Sequence, residues 1–188
     1  MKNFLISIVI LHALLCCIHA MGYEQETHVK LSEEAAKASV LYKSDANVLS
    51  NLGLKPIDDR SQRFSNSKNE FKTINELIQD GGNFEDNFPR STNHFFNPVN
   101  SQALSLFGGQ VGNPSPDWAL EDKGQIVGGM VLGGQEYSYR DGRLYFYLAL
   151  TSSSSVERDK RWGQMFQTLG QVIHHIQDMA QPQPMEPI

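Results

Sequence analysis

The last long segment of the chain carries two side chains of metal-binding type at a spacing suited to a helix. His174 and Asp178 lie four residues apart in an apolar stripe that includes Leu169, Val172 and Ile176. Residues four apart share one face of a helix, so the imidazole and the carboxylate can bind one cation. A hydrogen-bonded or ion-paired couple on a helix surface has the same spacing, and the pair alone leaves both interpretations open.

The apolar residues around this pair predict a helix that is buried along one side. They recur at intervals of three and four residues, namely Trp162, Met165, Phe166, Leu169, Val172, Ile173 and Ile176. A buried carboxylate beside an imidazole needs a compensating charge, which a divalent cation supplies. We expect this helix to begin at Ser154 or Ser155, to end near Met179, and to hold the pair close to the core.

The first 22 residues have the organisation of a secretory signal peptide. Lys2 supplies a positive charge, residues 4–20 are almost wholly apolar, and small residues follow. We expect cleavage after Ala20 or before Tyr23, and therefore a secreted or periplasmic protein with no transmembrane segment after cleavage. The alternative is an uncleaved anchor, but this apolar run is shorter than the roughly 20 residues of a spanning helix.

The composition bounds the rest of the chain. Both cysteines, Cys16 and Cys17, lie in the signal segment, so residues 23–188 form one domain that depends on its core, or on metal, instead of disulfides. The full chain has 16 Lys and Arg against 21 Asp and Glu, a formal net charge of −5, and no basic run. This charge disfavours direct capture of nucleic acid, although bound cations would reverse the local sign.

Periodicity predicts an all-α helical bundle of five helices joined by long loops. The first four helices are expected at 28–42, 69–79, 115–120 and 137–150, followed by the buried helix described above. The fourth segment has the composition of a strand, but its helical spacing favours a helix. Gly81-Gly82 is expected just beyond the end of the second helix.

Two connecting segments complete this organisation. Residues 55–68 are polar and are interpreted as a connector, whereas residues 83–113 are expected to form a long ordered loop. Loops of that length in compact domains are usually functional. The long loop contains the remaining side chains that could take part in metal binding or catalysis, which are Glu85, Asp86, Arg90 and His94.

The loop and the last helix together resemble a known superfamily. Residues 81–98 contain Gly-Gly-Asn-Phe-Glu-Asp, then an arginine, then Asn-His-Phe-Phe-Asn-Pro. Residues 169–182 contain Leu-Gly, His174, Asp178 and Gln-Pro. These motifs resemble the zinc-dependent phospholipase C and single-strand nuclease superfamily over residues 23–184. The resemblance implies a mostly helical protein with up to three zinc ions at the base of a cleft, which hydrolyses phosphate esters.

The resemblance also implies a ligand set. One zinc ion would be held by Asp86, His94, His174 and Asp178. Asp178 would bridge to a second ion, whose other ligands would be His28 and the amino group and carbonyl of Tyr23 as the mature terminus. Asp86 and Asp178 would then hold the ions that activate water, with no separate base assigned. Members of the superfamily usually begin with Trp, so Tyr23 is a departure.

A second departure concerns the third zinc site. Pro184 stands where the superfamily has a histidine ligand six residues after the bridging aspartate, and the later ligands do not follow. We therefore expect the chain to be the amino-terminal part of such an enzyme, incomplete at the C-terminus. One or two zinc sites are supported, and catalysis by the chain as given is expected to be weak or absent.

Each ligand also has an ordinary structural interpretation. His28 suits the first turn of a helix, His94 suits a loop, and Glu85 and Asp86 suit solvated carboxylates. Glu85 and His175 are the alternative choices of ligand. The spacing to Arg90 favours Asp86 over Glu85, and the spacing to Gln181-Pro182 favours His174 over His175.

Three functions follow from these observations. The leading hypothesis is a secreted zinc-dependent phosphoesterase of the phospholipase C type, with a phospholipid favoured over nucleic acid as substrate. A single-strand nuclease would need aromatic side chains for base stacking beside the metals, for which Phe95, Phe96 and Trp118 are candidates. The third is a non-catalytic zinc-binding remnant whose metal only stabilises helix packing. The sequence identifies no protein partner.

Overall fold

The computed structural model describes residues 25–106, 109–127 and 129–180. The predicted signal peptide, Tyr23, Gln181-Pro182 and Pro184 lie outside the described residues. More than half of the described residues are helical.

The described residues form six α-helices, two 3₁₀ helices and three small antiparallel sheets. The α-helices are α1 (Gln25–Ala38), α2 (Val48–Asn51), α3 (Ile74–Glu85), α4 (Ser115–Leu120), α5 (Tyr139–Thr151) and α6 (Ser155–Ala180), and the 3₁₀ helices are Ser44–Ala46 and Arg90–Asn93. The sheets pair β1 (Phe64–Ser65) with β2 (Phe71–Lys72), β3 (Ser105–Leu106) with β4 (Gly109–Gln110), and β5 (Gly124–Val127) with β6 (Met130–Gly134). The protein is therefore mostly helical, but the three hairpins exclude a pure all-α bundle.

Most of the predicted helices are present. The α4 helix has the expected bounds, with Pro116 in its first turn, and α6 starts at the expected serine. The α5 segment is helical and begins with a capping box, in which Ser138 and Asp141 exchange backbone and side-chain hydrogen bonds. The first helix begins three residues earlier than expected and ends at Ala38.

The prediction for the second helix was wrong at both ends. The α3 helix starts at Ile74, because Thr73 and Glu76 form a capping box and the residues before it pair in β2. It continues through Gly81 and Gly82, which were expected to follow the helix. Both glycines lie inside the helix, where α6 passes close to Gly81 and α1 passes close to Gly82.

The crossing of α3 and α6 is close enough to require glycine on both helices. A Cβ atom at Gly81 would collide with the backbone oxygen of Gln167, and one at Gly170 would collide with the backbone oxygen of Ile78. Backbones can approach this closely only where side chains are missing. The ends of α3 and α6 that carry the predicted ligands are thereby held against each other.

The hydrophobic core lies along the same pair of helices. The α6 helix packs against α3 and α5 and, less extensively, against α1 and α4. Its core partners are Ala36, Leu49, Leu54, Ile57, Phe64, Ile74, Leu77, Ile78 and Ala149, together with its own Trp162 and Phe166. Burial of these side chains stabilises the arrangement in which α1, α3 and α6 meet.

The expected long loop is shorter and more structured than predicted. Its first residues belong to α3, and it contains the 3₁₀ helix Arg90–Asn93 and the hairpin β3–β4. The expected connector at 55–68 contains strand β1. The hairpin β5–β6 was not predicted, although Ile126-Val127 and Met130-Val131-Leu132 flank a Gly-Gly pair, which is a hairpin signal.

Candidate metal centre

Four of the predicted ligands meet where α3, α6 and the following 3₁₀ helix converge. Asp86 is the C-terminal cap of α3, and His94 follows the 3₁₀ helix directly. His174 and Asp178 lie one turn apart on α6. His28, the fifth predicted ligand, lies on α1 and is completely buried.

The donor atoms of these four side chains lie at the separations of a shared coordination sphere. Asp178 Oδ2 is 3.0 Å from His94 Nδ1 and 3.2 Å from His174 Nε2. Asp86 Oδ1 is 3.7 Å from His94 Nδ1 and 3.6 Å from His174 Nε2, and the two imidazole nitrogens are 3.3 Å apart. Ligands bound tetrahedrally at zinc distances lie about 3.3–3.6 Å from one another. Each of the two carboxylates therefore lies at this spacing from both imidazoles.

Several polar atoms of this group are buried and lack a protein partner. Asp86 Oδ2, His94 Nε2 and Asp178 Oδ2 have no hydrogen-bond partner among the described residues. Asp178 Oδ2 makes the ionic contacts with His94 and His174 given above. Buried polar atoms normally find partners, and each exception requires an explanation. A cation between the carboxylates supplies one for both aspartates.

Asp178 contacts a further histidine through its other oxygen. His28 Nε2 is 3.3 Å from Asp178 Oδ1, and the rings of His28 and His174 are 3.9 Å apart between centroids. His28, His174 and Asp178 form a second group with donor atoms close enough to hold a metal ion, besides the group of Asp86, His94 and His174. Since Asp178 faces both groups with different oxygens, it can bridge two ions.

The outer nitrogens of two imidazoles are oriented by the protein. The Nδ1 atom of His174 lies 2.8 Å from the carbonyl oxygen of Gly82, and Nδ1 of His28 lies 2.7 Å from Oε1 of Gln177. Nδ1–H donating to these acceptors leaves Nε2 as the basic nitrogen that faces the centre. Gly82 therefore contributes its carbonyl group, a role that its position in the sequence does not reveal.

The pKa values of the two aspartates depend on their burial and on the imidazoles beside them. Burial raises the pKa of the Asp178 carboxyl, but the imidazoles of His174, His28 and His94 outweigh burial and hold that pKa far below its usual range. Burial raises the pKa of Asp86 above its usual value, and the neighbouring imidazoles only partly oppose this.

Two of the imidazoles respond to the same carboxylates. Burial lowers the pKa of His94, but Asp178, Glu85 and Asp86 outweigh burial and raise it above 6.5. The pKa of His28 is likewise raised, with Asp178 outweighing burial. The centre without metal therefore favours protonated imidazoles, and metal binding must release protons.

The alternative ligands, Glu85 and His175, belong to a different network. Both oxygens of Glu85 are used, because Oε2 accepts from Arg90 at 2.9 and 2.7 Å and Oε1 accepts from Trp118 Nε1 at 2.7 Å. His175 Nε2 lies 3.1 Å from the same Oε1, and its Nδ1 lies 2.9 Å from Ser115 Oγ. We call Glu85, Arg90, Trp118, His175 and Ser115 the buried network.

Two side chains of the buried network lie near His94 and form with it a third group that could hold a metal ion. The charge of the network is already balanced. Glu85, His94 and His175 have donor atoms within 4.8 Å of one another. Burial raises the pKa of the Glu85 carboxyl, but Arg90 and His175 outweigh burial and hold that pKa well below its usual range. A carboxylate with an arginine partner needs no cation, so the geometry favours the neighbouring centre.

Sequence reasoning missed the side chains that complete this network. Arg90 Nη2 also donates to Gln171 Oε1 at 2.6 Å and to Gln135 Oε1 at 2.5 Å. In the sequence, the one signal is that Gln171 is a polar residue among the apolar residues of α6. In the structure it is 2% exposed, and a buried amide needs a hydrogen-bond partner. Trp118, a candidate for base stacking, is 1% exposed and cannot offer its ring to a ligand.

Comparison of the chain with protein-family models, with curated proteins and with solved structures finds no match. The superfamily resemblance therefore stays a prediction from the motifs. Among the described residues, no helix is both long enough and apolar enough to cross a membrane.

Proposed function

We propose that the protein is a secreted zinc-dependent hydrolase of phosphate esters. The observation that carries the proposal is the convergence of Asp86, His94, His174 and Asp178. An oxygen of each carboxylate lies 3.0–3.7 Å from a nitrogen of both imidazoles, and the two imidazole nitrogens lie 3.3 Å apart. Two carboxylates and two imidazoles from separate segments of the chain meet here without a Lys or Arg partner among the described residues, as the donors of one cation would.

The chemistry of the donors favours zinc over other common ions. Two imidazoles and two carboxylates, with no thiolate, match the nitrogen and oxygen ligands of catalytic zinc sites. Magnesium and calcium prefer oxygen donors alone and larger coordination numbers. The segment from Asp86 to His94 would act as the metal-binding loop of a helical bundle.

Zinc bound at this centre would supply Lewis acidity and would lower the pKa of water enough for attack on phosphorus. The role of the chain is to fix the donors. Gly82 orients His174, and Asp178 joins the first site to His28, where a second ion would also take the backbone of Tyr23. Asp86 and Asp178 together neutralise the added positive charge.

Among phosphate esters, a phospholipid fits the chain better than a nucleic acid. The net charge of the full chain is −5 and the sequence contains no basic run, so the protein surface offers little electrostatic attraction to a polyanion. Trp118 is buried under Arg90 and cannot stack on bases. Secretion through residues 1–22 would bring the enzyme to lipid outside the cytoplasm.

The test combines metal binding with turnover. Protein stripped with a chelator and then titrated with zinc is assayed on a phosphocholine lipid and on a single-stranded oligonucleotide. We expect zinc to produce weak but measurable hydrolysis of the lipid and none of the oligonucleotide. The variant Asp80→Asn, a partly buried aspartate that accepts from Asn66 away from the centre, serves as the matched control for Asp86→Asn.

The other outcomes select other functions. Cleavage of the oligonucleotide instead of the lipid would identify a nuclease. Zinc bound at one or two equivalents without any hydrolysis would identify a non-catalytic zinc-binding protein. No zinc binding at all would refute the metal centre and every function built on it. N-terminal sequencing of the exported protein tests cleavage before Tyr23.

A further inference from the structure

The β5–β6 hairpin exposes an uninterrupted run of apolar side chains. Met130, Val131 and Leu132 of β6 are 64%, 69% and 51% exposed. Successive residues of a strand point to opposite faces, so both faces of β6 are in solvent. An exposed apolar edge strand of this kind needs a cover, because otherwise it promotes association.

The charge of the hairpin is as informative as its exposure. Residues 124–134 contain no charged side chain. The segments that flank the hairpin carry three carboxylates and one lysine, which are Glu121, Asp122, Glu136 and Lys123. An uncharged apolar tip above an acidic base suits an apolar medium whose surface has no net negative charge.

The hairpin is fixed to the element that carries a predicted metal ligand. Gln125 of β5 is buried, and its Oε1 accepts from Asn93 Nδ2 at 3.0 Å. Asn93 directly precedes His94. At the other side of the hairpin, Gln135 donates to the carbonyl of Trp118 at 2.6 Å. The base of the hairpin is therefore held beside the metal centre, whereas its apolar strand projects.

We propose that strand Met130–Leu132 inserts into the surface of a zwitterionic phospholipid layer and holds the metal centre at that surface. A protein surface packed flat against the hairpin would cover one face of the strand. The apolar interior of a lipid layer covers both faces at once. This inference deepens the proposed function and rests on it for the claim that lipid in a surface is the substrate.

The binding test uses a chain that begins at Tyr23, which contains every described residue but not the apolar segment 4–20. Its sedimentation with phosphatidylcholine vesicles is compared with that of the triple variant Met130→Ser, Val131→Ser, Leu132→Ser. The matched control is Val156→Ser, which changes an apolar side chain that is 78% exposed at the start of α6. All substituted side chains are exposed, so we expect unchanged thermal unfolding.

We expect the partition coefficient to fall about tenfold for each apolar side chain removed and therefore about 1,000-fold for the triple variant. The control should change it less than twofold. Anionic lipid should not strengthen binding, and salt should not weaken it, because the flanks are acidic. Sedimentation requires no turnover, so it is informative even if the proposed hydrolysis fails.

Turnover distinguishes the two proposals. The triple variant should hydrolyse a soluble phosphocholine ester like the parent but should lose activity on vesicles in proportion to its lost binding. Loss on both substrates would contradict the surface role. Equal sedimentation of parent and triple variant, binding only to anionic vesicles, or a concentration-dependent dimer that the triple variant abolishes would each overturn the proposal.

Discussion

Two adjacent groups of polar side chains in this protein share the same two stretches of sequence and differ in their partners. Glu85 and His175 belong to the buried network, whereas their neighbours Asp86 and His174 belong to the metal centre. Arg90 and Trp118 satisfy both oxygens of Glu85. Asp86 Oδ2 has no partner among the described residues.

The comparison shows what distinguishes a structural polar cluster from a site awaiting a cation. Consecutive residues on a helix point about 100° apart, so two neighbours can enter different environments. The network contains its own cation, the Arg90 guanidinium, whereas the centre contains two carboxylates and no Lys or Arg in contact with them among the described residues. Burial without a cation is costly for carboxylates.

The strongest way to break this comparison is to change the bridging carboxylate. In Asp178→Asn one oxygen donor is replaced by an amide, and the charge that both predicted sites share is lost. We expect zinc affinity to fall by more than about 100-fold, since even partners of metal ligands account for 10–100-fold. Calorimetric titration of the stripped protein measures this, with Asp80→Asn as the control. Unchanged affinity would exclude Asp178 from the centre.

A pair of variants at neighbouring positions sharpens the comparison directly. Glu85→Gln leaves the Arg90 charge without its buried partner, so we expect a loss of about 3–5 kcal/mol in the free energy of unfolding and retained zinc binding. Asp86→Asn should do the opposite, abolishing tight zinc binding while leaving the stability of the metal-free protein unchanged or higher. Chemical denaturation with and without chelator measures both. If the two variants behave alike, the division is wrong.

The helix crossing that positions both groups can be tested by adding one carbon atom. In Gly170→Ala the new Cβ meets the backbone oxygen of Ile78, which cannot move without moving α3. We expect a loss of roughly 1–3 kcal/mol, the usual range for overpacking, and weaker zinc binding.

The control for the crossing is Gly142→Ala in α5. Its Cβ meets the Cγ2 and Cβ atoms of the buried Thr168 side chain and no backbone atom of another helix. Alanine favours a helix by about 1 kcal/mol, which offsets part of this contact, so we expect a smaller loss than for Gly170→Ala. A neutral Gly170→Ala would show that the crossing tolerates more separation than the structure indicates.

The effect of pH on the free energy of unfolding is expected to be smaller than the effects of these substitutions. Its sign should differ between the metal-free and the zinc-bound protein. The pKa values of His94 and His28 are raised above 6.5, so in metal-free protein their contribution is complete below pH 6.5 and is lost as pH rises through the raised values. Burial lowers the pKa of His175, so this residue is neutral in both states above pH 6.5.

Zinc reverses that trend, because its ligands must be deprotonated and its affinity therefore rises with pH. As the pH rises above 6.5, the midpoint temperature of thermal unfolding should fall in the presence of chelator and rise in excess zinc. His94→Gln should flatten the decline. Parallel curves in chelator and zinc would contradict the proposed role of these imidazoles.

The sequence allowed accurate prediction where local periodicity decides the outcome. The apolar stripe around Trp162 and Phe166 predicted α6, and the four-residue spacing predicted that His174 and Asp178 share a face. The structure confirms a mostly helical chain with groups of His, Asp and Glu that could bind a metal ion. The signal peptide and the role of Tyr23 remain predictions.

Features that depend on tertiary contacts escaped prediction. Gly81-Gly82 has the local signature of a helix end, and only tertiary packing, of α6 against Gly81 and of α1 against Gly82, shows why both lie inside a helix. Arg90 and Gln171 are 81 positions apart, so no local pattern indicates their hydrogen bond. The β5–β6 hairpin has no helical periodicity, and its two short strands are stabilised by pairing with each other, so apart from the Gly-Gly pair local pattern does not indicate it.

The most direct test of the central claim is a crystal structure of the zinc-loaded protein with anomalous data at the zinc edge. The account predicts a peak about 2.0–2.2 Å from His94 Nδ1, His174 Nε2 and one oxygen each of Asp86 and Asp178. A zinc peak on Glu85 and His175 instead, or no peak near these residues in crystals grown with zinc, would contradict it.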